Sequence, residues 1–440
     1  MPPAIAITDL IKRAARDAGF DLVGIAPVRD FKELNYFPEW VTAGRAGEMK
    51  YLEARDEAGN LKRASLKHTA PWARSVIVCA INYNTAQPYS TQVHDSERGW
   101  ISRYAWSRED YHDAVMRRLR FVEEKLREAV EQASGAGAAE DVSRYGTTEA
   151  IRVQGTTASS TNVCTTVEER RFSAAYSAPD DSGLQPQSGK PDLITRCYVD
   201  TGPLVERVYA KYAGIGWIAK NTCIINQQLG SWLFLGVILT SLELTSDLPA
   251  PDRCGTCTRC IEACPTDAII APYQLDSNLC ISYLTIEKRG EIPEQMRAGL
   301  GRHVFGCDIC QDVCPWNRRA PLTSAPELQP RDGLVNPALE WLAQISAEDF
   351  QKTFRGSPIR RAKRSGLRRN AIIALGNSGH REFVPLLNKL AANEDPVLSK
   401  SADWAKERLE RKLREDSPLR PKAQCSDEQP AAPSLSRDSI

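Results

Sequence analysis

Cys254-x2-Cys257-x2-Cys260-x3-Cys264-Pro265 forms one cysteine block, and Cys280 with Cys307-x2-Cys310-x3-Cys314-Pro315 forms a second. Together they use eight of the chain's 13 cysteines. Three thiolates at successive x2 intervals suit three corners of a [4Fe–4S] cube, and the fourth cysteine of such a run ligates the other cube in two-cluster ferredoxins. That rule predicts Cys254, Cys257, Cys260 and Cys314 on one cluster, and Cys264, Cys280, Cys307 and Cys310 on the other. The second block is stretched by an insertion at residues 281–306, which sets its first ligand back. Cross-braced zinc sites also interleave cysteine pairs, but the x3-Cys-Pro ending fits a cube corner better than two separated pairs. Disulfides are disfavoured: residues 1–18 are interrupted by Asp9, Lys12 and Arg13 and do not resemble a secretory signal. Cys79, Cys164, Cys197, Cys223 and Cys425 fall outside the pattern and are expected to be ordinary thiols, Cys79 within an apolar strand. Electron transfer is the chemistry these spacings call for.

Four further segments carry polar groups that chemistry could use. Asp200-Thr201-Gly202-Pro203-Leu204-Val205-Glu206 joins an expected strand to an expected helix. It is either a turn, with Pro203 in the first helical turn, or a carboxyl group held at a strand's C-terminal end, where mixed sheets often place active sites. Residues 213–221 contain Gly214-Ile215-Gly216 but match neither dinucleotide nor phosphate-loop patterns, so close backbone packing or a cofactor contact are the readings left. His112 lies in an aromatic, polar segment before a long helix; it is either a proton shuttle or a structural histidine. Residues 351–370 hold Lys352, Arg355, Arg360, Arg361, Lys363, Arg364, Arg368 and Arg369 with no acidic residue, which points to nucleic-acid phosphates, the alternative being a solvated basic face.

The elements that must position these groups follow from periodicity. The 440 residues carry 57 basic against 56 acidic side chains, so no global polyelectrolyte role follows, and the length allows two or three domains. The longest apolar run, 232–240, has strand length and falls short of the ~20 residues that span a bilayer. Strands are expected at 20–26, 75–83, 193–199 and 231–240, and helices from Leu10 to Gly19, at 109–132 and at 205–213. Residues 134–192, rich in Ser, Thr, Gly, Ala and Pro, are expected to be a flexible insertion. Two amphipathic helices within 360–409, with Pro385 near a helix start, suggest a HEAT-like hairpin. The tail from 412 is polar and Pro/Ser-rich, with disorder expected.

With these residues in place, the chain resembles the epoxyqueuosine reductase family. The resemblance rests on residues 199–207 (VDTGPLVER) with 214–221 (GIGWIAKN), on the first cysteine block extended through Ile269, on 280–287 (CISYLTIE), on 306–317 (GCDICQDVCPWN), and on 369–377 (RNAIIALGN). It implies an α+β fold: a mixed-sheet, flavin-reductase-like cobalamin-binding domain at 1–248, a two-cluster ferredoxin-like module at 249–320, and a HEAT-like tRNA-binding region at 335–411. It implies reduction of epoxyqueuosine to queuosine at the tRNA wobble position, with electrons passing through two [4Fe–4S] clusters to cobalamin. Asp200 matches the family's proton donor. Arg63, Ser282 and Asp308 match cobalamin contacts, and Lys220 with Asn221 is expected to shape the same pocket. No Asp-x-His-x-x-Gly motif offers a lower axial histidine, in agreement with the family. The insertion before Asp200 and extra residues between Met49 and Leu66 depart from the family pattern and bear on the Arg63 match. The implied setting is a cytoplasmic monomer, away from membranes, that meets tRNA and an external electron donor such as a flavodoxin-like or ferredoxin-like protein or a reductase. Rival readings are a cobalamin-dependent reductive dehalogenase, for which no twin-arginine signal is present, a non-catalytic ferredoxin-type electron carrier, and a zinc-bearing RNA scaffold.

Overall fold

The computed structural model describes residues 4–142 and 193–415. The expected insertion at 134–192, apart from the end of a helix, and the expected tail beyond 415 lie outside the described residues. The centre of the N-terminal half is a four-stranded sheet of β1 (Leu22–Pro27), β2 (Ser75–Asn82), β3 (Thr195–Tyr198) and β4 (Leu233–Thr240), in the order β1-β2-β4-β3. All three pairings are antiparallel, which corrects the mixed sheet expected from sequence. β2 is buried at every residue, as its unbroken apolar run requires of a strand covered on both faces. Ile25, Ile77, Cys79 and Ile238 point to one face, under helices α1 (Ala4–Asp17) and α2 (Tyr111–Val142). Val76, Val78, Val237 and Leu239 point to the other, against α3 (Glu206–Tyr212). The period-2 alternation of strand side chains thus divides one sheet between two cores.

α1 begins at Ala4, before the expected cap at Thr8 or Asp9, and Gly19 follows it in the left-handed region at φ +84°. Gly216 is needed for space: a Cβ there would lie 2.3 Å from the Ile225 carbonyl oxygen, within the hairpin of Trp217–Ile218 and Ile224–Ile225. Close packing, not phosphate binding, accounts for that glycine pair.

A third core joins regions far apart in sequence. Trp100, Ile101 and Trp106 pack with Ile281 to Phe305 and with apolar residues from Leu334 to Leu409. Within it, Trp100–Ile101 pairs with His303–Phe305, a short parallel pair. Helix α4 (Ile281–Ile286) lies in the segment that stretches the second cysteine block, so that segment folds into the core and is no surface loop. At the C-terminal end there are three helices where two were expected: α5 (Lys363–Ser378), α6 (Val384–Ala391, Pro385 second) and α7 (Pro396–Glu415). No helix among the described residues is long and apolar enough to cross a membrane.

Candidate active site

The two cysteine loops are short helical turns, Arg259–Glu262 and Ile309–Asp312, each followed by the Cys-Pro of its block. Cys260 feels the charge of Cys254 and Cys257, and Cys314 feels Cys254 and Cys260, although Cys314 belongs to the other block. In the second set Cys280 feels Cys264, Cys307 feels Cys280 and Cys264, and Cys310 feels Cys307 and Cys280. The fold therefore gathers the eight thiols into two sets of four, with the fourth member of each exchanged. Burial pushes the Cys314 thiol up to about 11 and raises those of Cys254, Cys260, Cys280 and Cys307. Crowded, partly buried sulfurs of this kind need positive charge to ionise together, and an iron–sulfur cube supplies it. The buried Trp217 indole N–H has no conventional hydrogen-bond partner and faces the Cys254 sulfur. Backbone N–H groups of Ser282 and Tyr283 point at the Cys280 sulfur from the first turn of α4. The donor set fits two clusters.

The segment between the two short strands of the Trp217 hairpin grips both loops. Lys220 Nζ donates to the carbonyls of Gly255 (2.7 Å) and Cys257 (3.0 Å), and Asn221 Nδ2 donates to the Cys310 carbonyl at 3.2 Å. Both side chains thus brace the cysteine loops. Cys223, expected to be ordinary, packs against Cys310: a hydrogen bond with that thiol outweighs burial and holds Cys223 down at about 7. Its adjacency to the second set had no signal in spacing. Cys79 and Cys197 are buried, as expected of structural thiols.

Asp308 lies inside the protein. It is 1% exposed, and its carboxylate accepts from Trp100 Nε1 (3.0 Å), Ser102 Oγ and the Arg103 backbone N–H (2.8 Å). These donors tie the second cysteine loop to the 100–103 segment. Ser282 is half-buried at the start of α4, beside Cys280.

Asp200 occupies a corner at the end of β3. Its φ of +57° lies in the left-handed region, which Asp tolerates better than most residues. Helix α3 starts only at Glu206, so Pro203 belongs to the loop and not to the first helical turn expected for it. The Arg63 guanidinium holds this loop, donating to the Leu204 carbonyl at 3.0 Å and, over a long 3.5 Å, to the Asp200 carbonyl. The Asp200 side chain is 52% exposed. Its Oδ2 accepts from the Tyr111 hydroxyl, and His112 Nε2 stands 3.8 Å from the same oxygen. Tyr111 is fixed by stacking on Phe234 at 4.2 Å and by an edge contact with Tyr104 at 6.0 Å. Burial, then the Asp200 charge, push the Tyr111 hydroxyl well above its usual range, so it acts as a donor that keeps its proton. Glu206 Oε1 is out of solvent and unpartnered; burial, then Asp200, raise that carboxyl to about 7. Tyr104 in turn feels Arg361, Asp200 and Glu287, so the middle of the basic segment reaches this corner. An open corner holding a carboxylate and a guanidinium fits the polar edge of a macrocycle.

The basic segment divides. Lys352, Arg355, Arg360 and Lys363 are exposed. Arg361 pairs with Glu287, Arg364 Nε donates to the Ile345 carbonyl at 3.0 Å, and Arg368 Nε to the Ala343 carbonyl at 2.9 Å. Arg369, 2% exposed, donates to the carbonyls of Leu284, Lys288 and Gly290 and to Asn370 Oδ1. It is an internal brace for α4, which corrects its expected place at a nucleic-acid face.

Comparison with known proteins agrees with this geometry. The family model for the "4Fe-4S double cluster binding domain" matches residues 253–317, and the model described as "Epoxyqueuosine reductase QueG, DUF1730" matches residues 63–141. Epoxyqueuosine reductase of Synechocystis sp. is 38% identical over 79% of this chain and 98% of its own length. That of Gloeobacter violaceus is 37% identical over 84% of this chain and 96% of its own. Among solved structures, an epoxyqueuosine reductase with a tRNA-Tyr epoxyqueuosine-modified stem loop overlays with a TM-score of 0.69 at 27% identity, covering 94% of this chain and 95% of that one. A selenomethionine-labelled epoxyqueuosine reductase gives 0.71 at 26% identity over the same shares. Two exchanged thiol sets, the carboxylate corner at Asp200 and relationship over most of the chain place this protein in the epoxyqueuosine reductase family.

Proposed function

We propose that the chain reduces epoxyqueuosine to queuosine at the wobble position of tRNA. What carries this reading is the relationship over nearly the whole chain to an epoxyqueuosine reductase solved with a modified tRNA stem loop. Residues 1–248 form the cobalamin-binding part, 249–320 the two-cluster part, and 335–411 a HEAT-like tRNA-binding part. Cys254, Cys257, Cys260 and Cys314 hold one [4Fe–4S] cluster, and Cys264, Cys280, Cys307 and Cys310 the other. Electrons enter singly from an external donor protein that meets the chain as a monomer. The chemistry that bound cobalamin supplies is a low-potential cobalt centre able to pass those electrons to the substrate.

The protein's own residues handle position and protons. Opening an epoxide to an alkene releases its oxygen as water, so the departing oxygen needs an acid. Asp200 is that acid, set at the mouth of the corner. Substrate bound over its exposed side chain strips water from it and favours the protonated form. Tyr111 keeps Oδ2 in place, and Arg63 fixes the loop that carries it. Arg63 and Ser282 border the cofactor. Lys352, Arg355, Arg360 and Lys363 face the tRNA phosphates, and Arg361, Arg364 and Arg368 stand behind them.

The test is anaerobic. Protein reconstituted with iron and sulfide, reduced chemically, is given an epoxyqueuosine-bearing stem loop with and without cobalamin. Loss of one oxygen from the nucleoside, only with cobalamin, is the expected result. No conversion with both clusters and cobalamin bound overturns the reading.

A further inference from the structure

The first two residues of α2, with the residue before them, form a connected set under Asp200. Asp110 accepts the His112 backbone N–H at 3.0 Å and lies 2.8 Å from His112 Nδ1, both through Oδ1. An ionised carboxylate only accepts, so Nδ1 carries a proton and the other ring nitrogen is left to work. That nitrogen, Nε2, is the one turned toward Asp200 Oδ2. The imidazole is stacked on Tyr111 at 4.0 Å and is 31% exposed, so one side meets solvent while the other meets the acid. A separation of 3.8 Å is ion-pair distance, and a closing movement of about an ångström or one bridging water makes it a hydrogen bond.

We infer that His112 is the relay that recharges Asp200 with protons from solvent, oriented by Asp110; this rests on the reading above. The reaction needs such a path. Breaking both C–O bonds of the epoxide and forming the C=C bond takes two electrons, which the clusters pass on, and two protons, which leave with the oxygen as water. Asp200 holds one proton at a time. The second must reach Asp200 after the first has gone, while the substrate covers its exposed face. Tyr111 does not serve, since its hydroxyl pKa is raised too far for it to release a proton readily. Glu206 keeps Oε1 out of solvent and without a hydrogen-bond partner, so that oxygen hands no proton to Asp200. His112 touches both sides, and imidazole exchanges protons near neutral pH. It is a positioning and relay residue, not one that touches substrate.

The test uses clusters-loaded, cobalamin-loaded enzyme, with wild-type turnover of the stem loop as the control; if wild type is inactive, the functional reading fails and the relay is not at issue. His112→Ala is expected to lower kcat roughly 10²-fold, as loss of a proton-transfer group does, with KM for the stem loop unchanged and millimolar imidazole restoring much of the rate. Asp110→Asn is expected to give a smaller loss without rescue. Wild-type kcat in His112→Ala, or a loss that imidazole does not restore, overturns the relay.

Discussion

The first four-thiol set takes three members from one short stretch and Cys314 from elsewhere, and the second takes Cys307 and Cys310 from one loop with Cys264 and Cys280 from two others, whereas Asp200 is held by Arg63, by Tyr111 and His112 at the start of α2, and by the Glu206 helix. A metal cluster bonds its ligands directly, so the thiol loops need only be close enough for iron to pull them together. The acid corner has no such centre. Its geometry depends on the turn carrying Arg63, β3, α2 and α3 all arriving at one edge, and a small error in any of them moves the carboxylate. Damage to a thiol set should therefore show as lost metal, and damage to the corner as lost rate with metal intact.

The largest effect tests the exchanged ligand. Cys314→Ala should remove about four of eight irons, the content of one cube, from the set of the first block, and abolish turnover. Iron loss confined to the second set would break the division described for the thiols. Next comes the corner: Asp200→Asn tolerates the same left-handed backbone and should cut kcat by about 10²–10⁴ with iron content unchanged. Full turnover would remove Asp200 as the acid.

Glu206→Gln sharpens the contrast through pH. The Glu206 carboxyl is raised from 4.5 to about 7 in the fold, so the native state binds the extra proton between those values and loses stability as pH rises across that window. The neutral variant escapes this loss. It should be more stable than wild type at pH 8, by on the order of 3 kcal/mol at most, with the advantage gone below pH 4.5; equal denaturation curves at pH 8 would mean the acid is relieved by water. The smallest effect is at the surface. Lys352→Glu with Arg360→Glu should leave folding unchanged, weaken tRNA binding and flatten its salt dependence by about one logarithmic slope unit per lost phosphate contact; an unmoved slope would send the tRNA elsewhere.

Most of the thiol geometry was legible because cluster ligation imposes spacing on the chain itself, and the exchange of the fourth cysteine follows from the same rule. The central strands were legible from their apolar runs. Other features depend on contacts that composition does not encode. Arg369 and Arg360 look alike as sequence, yet one lies inside with three carbonyls and the other in water. Asp308 beside a ligand suggested a cofactor contact, but Trp100 and Ser102 come from two hundred residues away to take its oxygens. The polar segment around His112 was visible, and so was Asp200. Nothing local linked them, because the pairing spans the residue range between α2 and β3 and depends on how that long segment returns to the sheet.

The Trp217 hairpin has one more consequence. Lys220 and Asn221 are adjacent in the chain, and each anchors a different cysteine loop. Clusters held by these thiols would thus keep a constant separation, with one peptide unit helping to set the distance an electron would tunnel.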